Sequence, residues 1–426
     1  MPITYNYCSP RWSGEFCDCS MPMTFDTYNV CAYNCLYCFA FFQKAHCSAY
    51  QNMEVKAVNI DDIKNMFINS LNGHPENLKT NQLAFYNYIK ERRVMQWGGM
   101  ADGFDKYEKI YGVSLKLLEF FDEIDYPLSI STKGTWWTED ERYMSLVAKH
   151  AHNWHFKISI ITADEEKARR VEVDVDSPMK RLQAIKRLAD LGCHVTLRLR
   201  PYIIGVSDDY KELMKLGKAA GADSVTTEFF CMEQRATEGL KNKFKEIGDV
   251  AGFDIYEFYK NNSSTRGYLR LNYDYKKPIL NDMKKTADEL GLRFYVSDAH
   301  GKHMCNNCSC CGLPDDWNVN KGQYTQALLI AKNREDNLVY WSDIKDTASR
   351  VFGQYEIDKY TGFNIGNNAK RAKVKGKGLY HLLHEYWNDP DNAHSPYKYF
   401  EGVLYPVGLD SNNDVIYKFN RKKANK

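Results

Sequence analysis

The segments WHFKISII (154–161), PMKRLQAIKRLADLG (178–192) and CHVTLRLR (193–200) follow one another as an extended stretch, a helical pattern and a second extended stretch. The middle segment repeats its apolar residues at helical spacing. Similar units continue over residues 90–300. This βα alternation predicts a parallel sheet with helices outside it, either as a barrel or as an open doubly wound sheet.

The other elements of this region are predicted from the same patterns. Strands are expected at 94–97, 127–133, 154–161, 193–200, 224–230 and 292–297. Helices are expected at 107–124, 138–151, 178–192 and 207–221.

Polar residues occupy alternate positions along these strands, whereas buried parallel strands are usually continuous apolar runs. Side chains alternate between the two faces of a strand, so the polar set shares one face and the apolar set can face the helices. A solvated face is the alternative, and it suits parallel strands poorly. We therefore predict a partial (βα)6 TIM-like barrel with a polar lumen suited to a charged, polar cofactor. The polar set is Ser129, Ser131, Lys133, Lys157, Ser159, Thr196, Arg198, Arg200, Thr226 and Glu228.

Composition narrows the class of protein. The chain has 426 residues and a formal net charge of only +2, so a nucleic-acid partner would need a local basic patch. No apolar run approaches the ~18 residues that suggest a membrane span. The first residues lack the charged-then-apolar pattern of a signal peptide, so a cytoplasmic location is expected.

The thirteen cysteines are clustered. Seven lie in the first 47 residues and four at 305–311, while Cys193 and Cys231 stand alone in apolar contexts typical of buried thiols. Disulfides are not expected in a large chain without an export signal. Clustered cysteines then indicate metal binding or catalysis.

The sequence VCAYNCLYCFA (30–40), here called the cysteine loop, carries Cys31, Cys35 and Cys38 with C-x3-C-x2-C spacing. Three thiolates can ligate three irons of a [4Fe–4S] cluster and leave the fourth iron open, as a catalytic site needs. Zinc is the alternative, with Cys47 as a fourth ligand. Tyr37, just before the third cysteine, is expected to pack beside the cluster.

This loop, with an aromatic residue before its last cysteine, resembles the signature of the radical S-adenosylmethionine (SAM) superfamily. Within it, PMTFDTYNVCAYNCLYCFA (22–40), GGMADGFDKYE (98–108) and residues 171–205 look most like the spore photoproduct lyase-like group. Photoproduct lyase uses a cysteine downstream of the cluster as hydrogen donor. This chain has no cysteine between Cys47 and Cys193, so the same lesion reversal is not expected.

The resemblance implies two cofactors, a [4Fe–4S] cluster and SAM, whose reductive cleavage yields a 5′-deoxyadenosyl radical. It also implies a reductase such as flavodoxin or ferredoxin as electron donor. The turn Gly98-Gly99-Met100 is expected to contact the methionine amino group. Lys133, Ser159 and Arg198 are expected to contact its carboxylate and the ribose. For Lys133 and Arg198, a structural ion pair with Glu228 is the alternative.

Two features follow the strand–helix region. The cysteine-rich segment, HMCNNCSCCGLP (303–314), is dense enough in thiols to bind an auxiliary iron–sulfur cluster or zinc. Its thiols are Cys305, Cys308, Cys310 and Cys311. Basic and aromatic residues alternate further on, which suits phosphate contact and base stacking, although a solvated charged loop is the commoner explanation. The basic residues are Lys370, Arg371, Lys373, Lys375 and Lys377.

The predicted organisation is an N-terminal arm (1–22), a radical SAM core (23–300), a cysteine-rich region (301–345) and a small, mostly helical tail (346–426). The leading functional hypothesis is a radical SAM enzyme that repairs or modifies DNA or RNA. A radical SAM enzyme acting on a peptide, protein or small molecule is the second hypothesis. A non-enzymatic, zinc-bearing nucleic-acid-binding protein is the third.

Overall fold

The computed structural model describes residues 3–40, 54–234, 236–263, 268–353 and 378–425. The strands are β1 (Arg11–Trp12), β2 (Met23–Phe25), β3 (Asn34–Cys35), β4 (Met95–Trp97), β5 (Leu128–Thr132), β6 (Trp154–Ser159), β7 (Glu172–Val173), β8 (Val195–Tyr202), β9 (Ser224–Phe229), β10 (Cys231–Glu233), β11 (Tyr268–Arg270), β12 (Arg293–Val296), β13 (Leu338–Val339), β14 (Leu404–Leu409) and β15 (Val415–Phe419).

The helices begin and end as follows. They are α1 (Ile60–Leu71), α2 (Tyr86–Lys90), α3 (Lys106–Tyr111), α4 (Val113–Glu123), α5 (Glu141–Lys149), α6 (Glu165–Val171), α7 (Pro178–Asp190), α8 (Tyr210–Ala219), α9 (Glu238–Ala251), α10 (Ile255–Asn261), α11 (Tyr273–Glu289), α12 (Tyr324–Asn333), α13 (Lys345–Phe352), α14 (Leu379–Asn388), α15 (Pro396–Tyr399) and α16 (Arg421–Asn425).

The central sheet has eight strands in the order β1-β2-β4-β5-β6-β8-β9-β12. Strand β1 pairs antiparallel with β2, and all the other neighbours pair in parallel. The strands expected between residues 94 and 297 are confirmed. A doubly wound sheet reverses its strand order at a switch point, and this sheet keeps chain order throughout. The open doubly wound alternative is therefore wrong, while the barrel curvature of the sheet stays a prediction.

The helix predicted at 107–124 is two helices. Gly112 has a φ of 63°, a left-handed conformation that ends α3. Helix α4 then begins at Val113. Periodicity could not reveal the break, because the apolar spacing continues across the glycine.

The described part of the tail contains a sheet as well as helices. Strands β14 and β15 lie in the tail and pair antiparallel, and β13, which precedes the tail, pairs antiparallel with β15. The prediction of a mostly helical tail missed this sheet. The main apolar core runs without interruption from Trp12 in the arm to Ala424 in the tail, and the proposed domain boundaries stay predictions. Among the described residues no helix is long and apolar enough to cross a membrane.

Candidate active site

The cysteine loop leaves the carboxyl end of β2 and is fixed to the rest of the fold at Cys35. This residue lies in β3, opposite Glu172 of β7. The Tyr37 hydroxyl donates to the Glu172 carboxylate, which also pairs at 2.6 Å with Arg181. Arg181 in turn donates to the Ser159 carbonyl at 2.7 Å. The loop is thus tied through buried charges to strand β6.

Removing one charge of this buried pair is expected to destabilise the fold strongly. Arg181 and Glu172 have side-chain exposures of 0% and 1%. We predict that Arg181→Met lowers the free energy of unfolding by ~3–5 kcal/mol, because the Glu172 charge stays buried and unpaired. Urea unfolding monitored by circular dichroism measures the change.

The matched control is Arg169→Met, which breaks the exposed pair with Glu166 and is expected to cost ~0–1 kcal/mol. A double variant, Glu172→Gln with Arg181→Met, should recover part of the loss. Equal effects of Arg181→Met and Arg169→Met would contradict the buried role.

The three thiols of the loop do not converge on one point. Among the described residues, the one group of three or more ligand atoms within 4.8 Å of one another is Asp125, His150 and His152. A tetrahedral zinc with Zn–S bonds of ~2.3 Å would bring its sulfurs to roughly 3.8 Å from one another. The loop's spacing therefore fits thiolates on separate irons better than thiolates on one ion.

Burial favours the neutral form of two thiols of the loop, Cys31 and Cys35. Burial raises the pKa of Cys35 to about 12, and the nearby Lys133 opposes that rise. Burial, together with Asp105 and Asp102, raises the pKa of Cys31. Metal ligation supplies the positive charge that a buried thiolate needs.

The glycine turn lies beside the first cysteine. The backbone amides of Gly99, Met100 and Ala101 all donate to Asp26 Oδ1, at 2.8, 2.8 and 3.1 Å. Asp102, next in the chain, is close enough to Cys31 for its carboxylate to raise the pKa of that thiol. These amides already donate to Asp26. The backbone groups of the turn that a ligand could use are therefore its carbonyl oxygens, which accept hydrogen bonds from an ammonium group.

Gly98 is required where it stands. Its φ is 87°, and a Cβ would collide with the Ser131 carbonyl oxygen of β5. Only glycine combines this conformation with so close an approach to the sheet.

Lys133 follows β5 and reaches toward the cysteine loop. Its Nζ lies 5.6 Å from the centre of the Tyr37 ring. Its backbone amide donates at 2.7 Å to Asp102, which also accepts from Thr132 at 2.7 Å. Asp102 therefore fixes the end of β5 next to the glycine turn, with the lysine beside Cys35.

Ser159 and Arg198 are in contact across β6 and β8, with 3.2 Å between Arg198 Nη1 and Ser159 Oγ. Arg198 forms no ion pair within the part of the chain that the structure describes. Burial and the neighbouring Arg200 lower its pKa to about 10. Glu228 pairs with Arg200 instead, so the alternative of a Glu228 pair with Lys133 or Arg198 is wrong. A buried cation without a counter-ion suits an anionic ligand.

The polar face also contains residues that were not assigned a role from sequence. A chain of three hydrogen bonds crosses four strands. It joins Ser129 to His155 (2.9 Å), His155 to Thr196 (2.7 Å) and Thr196 to Ser224 (2.7 Å). These contacts confirm that the alternate polar positions share one face. Lys157 is 1% exposed, and its Nζ has no hydrogen-bond partner among the described residues. The alternation of polar and apolar residues predicted that Lys157 lies on the polar face. It did not predict that the Lys157 ammonium group lacks a hydrogen-bond partner among the described residues.

In the cysteine-rich segment, Cys305 has different surroundings from the other three thiols. Cys305 Sγ accepts from the Val296 amide at 3.2 Å, against β12. The Cys310 carbonyl accepts from Thr226 Oγ1 at 2.6 Å, on the polar face of the central sheet. Cys308, Cys310 and Cys311 are buried together in one small apolar cluster. A shared metal site for all four stays a prediction.

Two predicted features lie outside the described residues. These are the alternative zinc ligand Cys47 and the basic run Lys370, Arg371, Lys373, Lys375 and Lys377.

Among solved structures, spore photoproduct lyase has a similar fold. A variant of it with dinucleoside spore photoproduct matches with a TM-score of 0.50 and 17% identity, over 69% of this chain and 80% of that one. SuiB of Streptococcus suis matches with a TM-score of 0.39 and 14% identity, over 66% and 50%. No protein-family model matches the sequence, and no curated protein sequence does. The likeness to the lyase confirms the resemblance at the level of the fold.

Proposed function

We propose that the chain is a radical SAM enzyme with a [4Fe–4S] cluster on Cys31, Cys35 and Cys38. When bound, cluster and SAM together supply a 5′-deoxyadenosyl radical that abstracts hydrogen from a substrate. One observation carries the proposal. Lys133 Nζ lies 5.6 Å from the ring centre of Tyr37 in the cysteine loop, and the Lys133 amide donates to Asp102, which follows the glycine turn.

The chain's own residues would then bind and orient SAM. Carbonyl oxygens of Gly98, Gly99 and Met100 suit the methionine ammonium. Lys133 and Arg198 suit its carboxylate, since neither cation forms an ion pair within the described ranges. Ser159, which already contacts Arg198, suits a ribose hydroxyl. Asp26 holds the turn in place through three amides.

Nucleic acid is the proposed substrate class, for repair or modification. It is supported by the basic and aromatic pattern of residues 354–387. A peptide, protein or small molecule is the second candidate. One observation favours it: Glu228 beside Arg200 gives the polar face both signs of charge, which suits a substrate that is not purely anionic.

The proposed enzyme would also have an electron donor and a second metal site. A flavodoxin- or ferredoxin-type reductase would supply electrons, and the cytoplasm would be the location. The cysteine-rich segment would carry an auxiliary iron–sulfur cluster or zinc. The dispersed thiols of the cysteine loop support the enzyme over the zinc-bearing nucleic-acid-binding protein.

The test is anaerobic reconstitution with iron and sulfide, followed by dithionite and SAM. Formation of 5′-deoxyadenosine is expected, and adding DNA, RNA or peptide pools should show by mass spectrometry which class is altered. Salt-dependent binding to nucleic acid, lost when residues 370–377 lose their charge, would favour the first candidate over the second. A reconstituted chain that releases no 5′-deoxyadenosine would reject the enzyme.

A further inference from the structure

A second group of thiols is assembled from two distant parts of the chain. Cys19, in the N-terminal arm, lies within electrostatic reach of both Cys310 and Cys311. The latter two are buried in one small apolar cluster. Nothing in the spacing of the sequence connects residue 19 with residue 310; the fold brings them together.

Backbone contacts fix the arm in this position. The carbonyl of Cys17 accepts from the Tyr324 amide at 2.7 Å, and that of Cys19 accepts from Asn320 Nδ2 at 3.3 Å. Asp18 forms a buried ion pair with Lys302, close to the cysteine-rich segment. The arm is therefore part of the wall of this site.

The other side of the site is the polar face of the central sheet. Thr226 Oγ1 donates to the Cys310 carbonyl at 2.6 Å, and Thr196 Oγ1 lies 3.4 Å from the carbonyl of Cys311. Gly312 has a φ of 93°, and a Cβ there would collide with Thr196. The segment thus rests directly on strands β8 and β9.

Several buried polar atoms around these thiols have no partner among the described residues. Lys157, 1% exposed, lies within electrostatic reach of Cys310 and Cys311. A buried ammonium without a hydrogen-bond partner is costly, so a negatively charged group bound here would stabilise it. The atoms without partners are Lys157 Nζ, Arg200 Nε, Ser20 Oγ and Ser309 Oγ.

The donor set indicates what the occupant is. Thiolates select soft metals and iron–sulfur clusters. These sulfurs do not meet within 4.8 Å as a group of three, and adjacent Cys310 and Cys311 cannot easily share one ion. A polynuclear cluster uses thiolates on different irons and carries negative charge, which the nearby cations would balance.

We propose that Cys19, Cys310 and Cys311 bind a second iron–sulfur cluster on the polar face of the sheet, with Lys157 as the adjacent counter-charge. This site differs from the four cysteines of the cysteine-rich segment by including Cys19 and leaving out Cys305 and Cys308. The Cys305 sulfur instead accepts from the Val296 amide. It deepens the auxiliary site of the proposed function, but it does not need SAM to be cleaved.

The test starts from a background variant with Cys31→Ala, Cys35→Ala and Cys38→Ala. After anaerobic reconstitution, this background should keep about half of the iron and labile sulfide of the unmodified chain. Adding Cys19→Ala should then lower the iron at least ~fivefold, because a thiolate ligand is lost. Adding Cys8→Ala, an exposed thiol on the same arm, should change nothing.

A background without iron, or with zinc in its place, would overturn the proposal. So would iron that survives Cys19→Ala but is lost with Cys308→Ala. Circular dichroism identifies a variant that fails to fold, in which case Cys310→Ala replaces Cys19→Ala. Because the background cannot hold the first cluster, failure here is distinguishable from failure of the SAM reaction.

A second readout tests the role of Lys157. In the background, Lys157→Met should keep the iron but make the reduction potential more negative, because a nearby cation favours the reduced, more negative cluster. Lys284→Met, on the outer helix α11, is the control and should leave the potential unchanged. An unchanged potential in Lys157→Met would contradict the counter-charge.

Discussion

Replacing Cys31, Cys35 and Cys38 together by alanine is expected to abolish the reductive cleavage of SAM. The loss should be at least ~1000-fold in the rate of 5′-deoxyadenosine formation, because the proposed site passes the electron to SAM through the cluster that these three cysteines would hold. Chromatography of reactions run with dithionite measures the product.

The matched control is Cys193→Ala, which removes a buried thiol far along the chain from the loop and should leave the rate unchanged. Each variant should also be checked by circular dichroism. If the triple variant forms 5′-deoxyadenosine at the rate of the unmodified chain, the cysteine loop is not the site of the reaction.

Replacing Arg198 by methionine is expected to weaken SAM binding strongly. Arg198 has no recorded ion pair within the described ranges and lies 3.2 Å from Ser159. Losing one charge-assisted hydrogen bond of ~1.5–3 kcal/mol should raise the dissociation constant about 10- to 150-fold. Equilibrium dialysis with labelled SAM measures the change, and the iron content should stay constant.

Arg198→Lys should restore part of the affinity, because it keeps the charge but not the planar fork of donors. Arg187→Met is the control. Arg187 lies on helix α7 and already forms an ion pair with Glu139. An unchanged dissociation constant in Arg198→Met would remove this arginine from the SAM site and leave its burial unexplained.

The strand–helix alternation could be predicted because it is local. Period-two and period-3.6 patterns are visible within ten residues, and all six predicted strands of the core were found. Polar residues at alternate positions, such as Ser129 and Thr196, also indicated the shared face that their hydrogen bonds with His155 now confirm. The break at Gly112 was missed because a left-handed glycine can interrupt a helix without disturbing its apolar spacing.

Which residues form ion pairs could not be predicted from the sequence, because ion pairing depends on distances between strands. Lys133, Arg198 and Arg200 all point toward the same face, and only the three-dimensional arrangement shows that Glu228 pairs with Arg200. The position of Cys19 against Cys311 depends on contacts between residues some 300 positions apart. Local sequence patterns carry no information about such contacts.

The most direct test of the central claim is the electron paramagnetic resonance spectrum of the reduced, reconstituted chain, recorded with and without SAM. We predict an iron–sulfur signal whose g values change when SAM is added, because in the proposed site SAM would bind the iron that has no cysteine ligand. The Cys31, Cys35 and Cys38 triple alanine variant should show no such change. A spectrum of the unmodified chain that is the same with and without SAM, or a chain that takes up zinc and no iron, would contradict the account.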